Sequence, residues 1–156
     1  MNQPPSKSLK PEDLTIIIDS REQKPLTFAK MKAVRGTLPT GDYSIQGLEK
    51  VICVERKSLS DFLSCVGAQR KRFDQEIQRM RGYEARCIVV EALKSSVLHG
   101  DGRCKVHPHA VEGSIVGWSG QIHIEFAMGR DAAARYVAWF LWLHAKRRFE
   151  EIKGMI

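Results

Sequence analysis

The sequence predicts an α/β domain in which helices cover a mixed central sheet. Three observations carry that reading. The runs LTIIID, VICVERK and RCIVVEA are short, rich in β-branched residues and bounded like buried strands. From Ser58 onward the apolar period lengthens to that of a helix. Strand-like and helix-like segments then alternate to the end of the chain, in the order β–β–β–α–β–α–β–α.

Each element follows from its own residues. LTIIID (14–19) reads as a buried strand that ends in the charged loop SREQKP. GTLPTGDYSIQG is a turn leading into a strand over residues 42–45, and VICVERK is the next strand, so the two form an adjacent antiparallel pair. Leu59, Phe62, Leu63 and Val66 recur at helical spacing, and after a break at Gly67 so do Phe73, Ile77 and Met80. Ser58 followed three residues later by Asp61 is a capping-box pattern. RCIVVEA (86–92) is a further central strand. SSVLHGDGRCKVHPH is a loop or short helical turn followed by a flexible connection. PHAVEGSIVGWSG is a modest helix that tolerates Pro108 in its first turn. QIHIEFA (121–127) alternates as a strand. Residues 131–153 form a long helix with Asp131 near its start and Lys146, Arg147 and Arg148 towards its end, as the helix dipole favours.

The 156 residues, 43% hydrophobic and 28% charged, suit one domain with a proper core and exclude a disordered chain. A net charge of +7 points to a polyanionic partner, nucleic acid being the commonest. Cys53, Cys65, Cys87 and Cys104 lack CxxC spacing, and we read them as reduced thiols in the cytoplasm, or at the nucleoid in a prokaryote. Residues 1–13 are polar and contain proline, which predicts a flexible arm and not a secretory signal. The longest apolar stretch, YVAWFLWL, is far short of the roughly 20 residues a membrane span needs.

The chemistry sits at the end of VICVERK. Alternation along a strand puts Glu55 and Lys57 on one face and Arg56 on the other. A carboxylate beside an ammonium suits metal-dependent phosphodiester hydrolysis. The first holds a hard divalent cation, and the second orients a water and offsets charge on the phosphate. The neighbouring strand offers a second carboxylate at Asp42, after the turn residue Gly41, and the Arg56 carbonyl is a further oxygen. Three charges in a row are more often a solvated strand end. The apolar strand behind them, the Gly41-Asp42-Tyr43 turn and Asp61 argue otherwise.

Taken together, GDYSIQGLEKVICVERKSLSD resembles the GD(x)nERKxxxD pattern of the XPF-type structure-specific nuclease domain. IIIDSREQKP resembles that family's first strand and D-x-R-E segment, and RCIVVEA its central strand; the resemblance covers residues 14–153. It implies a restriction-endonuclease-like (PD-(D/E)xK-type) fold, Mg²⁺ or Mn²⁺ dependence, and cleavage of duplex DNA at branches, flaps or nicks, in repair or recombination. It also implies Asp42 and Glu55 as metal ligands, Asp19 and Glu22 as ligands or supporting carboxylates, and Lys57 as the catalytic lysine. Arg56 and Asp61 match motif positions in the catalytic set, with an orienting role; Asp61 serves equally as a helix cap and Asp19 as a turn former. We expect a single nuclease domain over residues 14–156 without the helix-hairpin-helix module many such nucleases carry. A homodimer, a partner subunit or the basic surface alone would then select the DNA structure. A non-catalytic DNA-binding member of the same fold is the alternative.

Arg21, Arg70, Arg72 and Arg79 are the candidate DNA contacts. The family arginine after ERKxxxD is either Arg70 or Arg72, and the helix arginines could instead pair with Asp74 and Glu76. His99, Cys104, His107 and His109 do not have a zinc-ligand spacing. Trp118, Trp139 and Trp142 suit base stacking, dimerisation or, for at least one of the last two, core packing.

Overall fold

The computed structural model describes residues 8–155. Its strands are β1 (Thr15–Asp19), β2 (Lys32–Gly36), β3 (Tyr43–Ile45), β4 (Ile52–Lys57), β5 (Ala85–Val90) and β6 (His123–Phe126). Its helices are α1 (Leu59–Val66), α2 (Arg70–Met80), α3 (Lys94–His99), α4 (Pro108–Ser119) and α5 (Gly129–Lys153). One sheet runs in the order β2-β1-β3-β4-β5-β6. β3 is antiparallel to both its neighbours, and the other pairings are parallel, so the sheet is mixed as expected.

Strand alternation sorts the core into two layers. Ile16, Ile18, Ile45, Ile52, Val54, Cys87 and Val89 face α5, where Ala133, Val137 and Leu141 form the buried stripe. Cys53, Ile88 and Val90 face the other way, against Phe62 and Leu63 of α1, Phe73 and Ile77 of α2, and Ile115 and Trp118 of α4. Glu55 and Lys57 have the parity of Cys53 and therefore emerge between the sheet and the α1–α2 pair. Arg56 has the parity of Ile52 and Val54 and emerges on the α5 side.

Four expectations change. The chain has a strand, β2, that the apolar pattern does not announce. Four of its five residues are exposed, and it exists through its parallel register with β1, Thr15 opposite Lys32 through Asp19 opposite Gly36. Of the expected flexible arm, residues 1–7 lie outside the described residues. The remainder is docked: Leu9 packs on the α5 layer, its carbonyl accepts from Trp142 Nε1 at 3.3 Å, and Pro11–Asp13 make a 3-10 turn. The ambiguous segment after β5 resolves into helix α3, held by buried Val97. Helix α5 begins at Gly129, two residues ahead of Asp131, because Gly129 takes the left-handed φ of 83° that redirects the chain from the preceding loop.

The tryptophans divide as well. Trp118 is buried and donates to Asp74 Oδ1 at 2.9 Å, so it does not stack on bases. Trp142 packs on the core, while Trp139 is 59% exposed on α5 near Leu143.

Candidate active site

Asp42 is placed by its neighbour. Gly41 has φ 83°, and a Cβ there would lie 3.0 Å from the Val54 carbonyl oxygen, so only glycine lets the turn lie this close against β4. The Asp42 amide donates to that same oxygen at 2.8 Å, and the Asp42 carbonyl accepts from the Asp19 amide at 2.8 Å. The Asp42 side chain then continues the strand ladder, with Oδ2 accepting from the Arg56 amide at 2.8 Å. The carboxylate is thus fixed beside the end of β4, next to Glu55.

Glu55 is 8% exposed. Its Oε1 accepts from Lys57 Nζ at 2.9 Å, and the same ammonium donates to Glu76 Oε2 of α2 at 3.2 Å and lies 5.5 Å from the centre of the Phe73 ring. Burial pushes the Asp42 carboxyl up to about 6; the Arg56 amide opposes the shift, and Glu22 and Glu76 add to it. Burial and then the charge of Asp42 push Glu55 well above the usual carboxylate range. Burial works against the charged form of Lys57, but Glu55 and Glu76 together more than offset it, so its pKa is raised and it stays an ammonium.

The other motif carboxylates are committed elsewhere. Asp19 Oδ1 accepts from the Leu38 amide at 2.9 Å and Oδ2 from Arg21 Nε at 2.7 Å. Burial disfavours its charge, yet these donors outweigh burial and hold its pKa below the ordinary value. Glu22 accepts both arms of the Arg56 guanidinium, at 2.9 and 3.1 Å. Both line the same cleft as Asp42, each already engaged by a guanidinium. Arg56 is spent in the same way. It also donates to Glu91 Oε1 at 2.8 Å, and its side chain is only 12% exposed. Asp61 caps α1: its amide donates to Ser58 Oγ, which donates back to Asp61 Oδ2 at 2.7 Å. It lies at the cleft rim, outside the Asp42–Glu55 pair.

A cleft of about 910 Å³ opens over these groups, bordered by Arg21, Arg72 and Arg79. Arg70 is turned away, donating to Ser114 Oγ at 2.6 Å and lying 5.1 Å from the Trp118 ring, so of the two candidate family arginines Arg72 faces the site. Among the described residues Asp74 and Glu76 pair with none of the helix arginines. They bond Trp118 and Lys57 instead.

Among the described residues no group of three or more His, Cys, Asp and Glu is arranged to hold a metal ion. The pair Asp42 and Glu55 still suits a hard cation, because a magnesium site takes one or two protein carboxylates and completes its shell with waters and substrate oxygens. Burial is the main cause of the raised pKa of both, and the neighbouring carboxylates add to it.

Two participants were missed from the sequence, Glu76 and Glu91. Glu76 borders the apolar stripe Phe73, Ile77, Met80, a weak sign that it is partly buried. Glu91 directly follows β5, whose parallel register with β4 sets Val90 opposite Lys57 and so brings residue 91 to the same sheet end. Recognising that required the strand order.

A mixed sheet flanked by helices, with acidic residues and a lysine at the end of a central strand, defines the restriction-endonuclease-like class of α/β domain. Within that class the chain belongs to the ERCC4 domain family, whose profile matches residues 18–140. Among solved structures it is similar to XPF from Aeropyrum pernix in complex with DNA, at TM-score 0.66 and 22% identity over 86% of this chain and 66% of that one. It is similar also to XPF from Aeropyrum pernix, at TM-score 0.62 and 19% identity, covering 90% and 69%. The chain therefore spans about two thirds of the length of these structures. No curated protein matches it. No helix among the described residues is long and apolar enough to cross a membrane.

Proposed function

We propose that this protein is a divalent-metal-dependent endonuclease that hydrolyses phosphodiester bonds in branched, flap or nicked DNA. The observation that carries the reading is the convergence of Asp42, Glu55 and Lys57 at the floor of a cleft bordered by Arg21, Arg72 and Arg79. Asp42 and Glu55 would hold Mg²⁺ or Mn²⁺. A divalent ion at such a site polarises the scissile phosphate and acidifies a water. Lys57, fixed by two carboxylates, is a hydrogen-bond donor and a positive charge in this scheme, and not a base. Arg21, Arg72 and Arg79 neutralise flanking phosphates. Arg56 orients the loop carrying Glu22, and Gly41 keeps Asp42 in place. A homodimer or partner subunit seated near the exposed Trp139 and Leu143 belongs to this reading, as does work in repair or recombination wherever the cell keeps its DNA.

The test is incubation of the purified protein with labelled flap, fork, nicked and plain duplexes in Mg²⁺, Mn²⁺ or EDTA. We expect metal-dependent cleavage that falls by at least about a hundredfold in Asp42→Asn and in Lys57→Ala. Cleavage unchanged in either variant would sink the mechanism. Tight DNA binding with no metal-dependent cleavage would instead mark a non-catalytic DNA-binding member of the fold.

A further inference from the structure

Lys57 has two anionic partners, and only one of them belongs to the recognised motif. Glu55 Oε1 lies 2.9 Å from its Nζ and Glu76 Oε2 3.2 Å, both within the partly buried floor of the cleft. Glu76 reaches it from α2, one turn beyond Phe73, whose ring also flanks the ammonium. Arg72 and Arg79 lie four residues before and three residues after Glu76, the spacing at which a solvated helix forms surface ion pairs. Among the described residues Glu76 pairs with neither, and turns inward to Lys57.

The arrangement answers a difficulty of the proposed mechanism. Glu55 is asked to ligate a dication and to hold Lys57 with one carboxylate. As Glu55 turns its charge to the cation, Lys57 loses a counter-ion and is repelled by the incoming charge. From this geometry we propose that Glu76 is a positioning residue: it keeps the Lys57 ammonium in place while Glu55 serves the cation. Phe73 bounds the same pocket and limits where the ammonium can go. This role rests on the nuclease reading above and adds to it a residue that acts through Lys57 without touching the scissile phosphate.

The experiment is a double-mutant cycle on Glu76→Gln and Lys57→Ala. Single-turnover cleavage is paired with DNA-binding titrations and calorimetry of Mg²⁺ binding to the DNA-free protein. Glu76→Gln is expected to slow the chemical step by about tenfold to a hundredfold while DNA affinity changes less than about twofold. Mg²⁺ affinity is expected to change less than about threefold. In the Lys57→Ala background the same substitution costs nothing further, because the two residues act as a unit. Glu76→Asp restores part of the rate. Wild-type cleavage in Glu76→Gln overturns the proposal, as does a loss that adds in full to that of Lys57→Ala. A fall in Mg²⁺ affinity as large as that of Asp42→Asn overturns it too, since Glu76 would then be a ligand. If Glu76→Gln melts far below wild type, the cycle is run with Glu76→Asp, for which a smaller rate loss that vanishes without Lys57 is the expected result. Absence of metal-dependent cleavage in the wild type is a separate failure, that of the nuclease reading itself, and takes this role with it.

Discussion

Two charge clusters lie on opposite sides of one strand end, separated by a single peptide unit. On the α5 side, Arg56 is enclosed by Glu22 and Glu91, with Arg130 4.0 Å from Glu91, so two cations meet two carboxylates. On the α1–α2 side, Lys57 faces Glu55 and Glu76 with Asp42 close by, so one cation meets three carboxylates. The first cluster is balanced and its hydrogen bonds are satisfied. The second sets three carboxyl groups around one ammonium in a buried place, and burial, reinforced by the neighbouring carboxylates, raises the pKa of Asp42 and Glu55. Adjacent residues of one tripeptide thus do opposite jobs. Arg56 ties β4 to the β1 loop and to the end of β5, whereas Glu55 and Lys57 present their charges to the cleft.

The comparison is most exposed to Arg56→Ala. Removing the guanidinium leaves Glu22 and Glu91 partly buried without their main partner, a change that costs about 3 kcal/mol. Urea unfolding should show that loss as a lower midpoint with the slope retained. Cleavage, measured at a temperature where the variant is still folded, should fall far less than in Lys57→Ala. If folded Arg56→Ala is as inactive as Lys57→Ala, the balanced cluster is part of the chemistry and the distinction collapses.

Asp42→Asn is expected to move stability the other way. A carboxyl whose folded pKa is raised from 3.8 to about 6 binds its proton more tightly when folded. Wild-type stability therefore declines as pH rises from about 4 to about 6, and the cost stays in full above that window. The amide removes the charge and keeps an acceptor for the Arg56 N–H. The variant should be more stable than wild type by on the order of 2 kcal/mol at pH 7 and equal to it near pH 4. Thermal melts across pH measure this directly. Mg²⁺ should raise the wild-type melting temperature and leave that of Asp42→Asn unchanged. A variant less stable than wild type at pH 7 would mean that Asp42 is structural.

These contrasts also mark what a sequence can disclose. Glu55 and Lys57 were legible because strand alternation is local, and Asp42 because a glycine turn announces itself. Arg56 was read correctly as facing elsewhere, but its partners lie 34 and 35 residues away, and nothing near it names them. Glu76 looked like a solvated helix residue, since its partner is on a different element. β2 stayed hidden for the same reason, being held by pairing with β1 and not by an apolar face of its own. Asp61 carried both motif and cap signals in the sequence, and the geometry ties it to Ser58.

The smallest expected effect tests the same principle on one helix. Arg70 and Arg72 are two residues apart on α2, so they point in different directions. Arg70 is committed to Ser114 and Trp118, while Arg72 borders the cleft. Arg72→Ala should weaken DNA binding about threefold to tenfold, much the same for every duplex tested, and reduce the salt slope of log K by about one. Arg70→Ala should leave both quantities unchanged and lower stability by about 1 kcal/mol through the lost hydrogen bond and ring contact. Titrations of a labelled nicked duplex at several salt concentrations, in EDTA, separate the two. Equal slopes for the two variants would mean that DNA reaches the α4 side of α2, and that the cleft facing Arg72 does not alone define the contact surface.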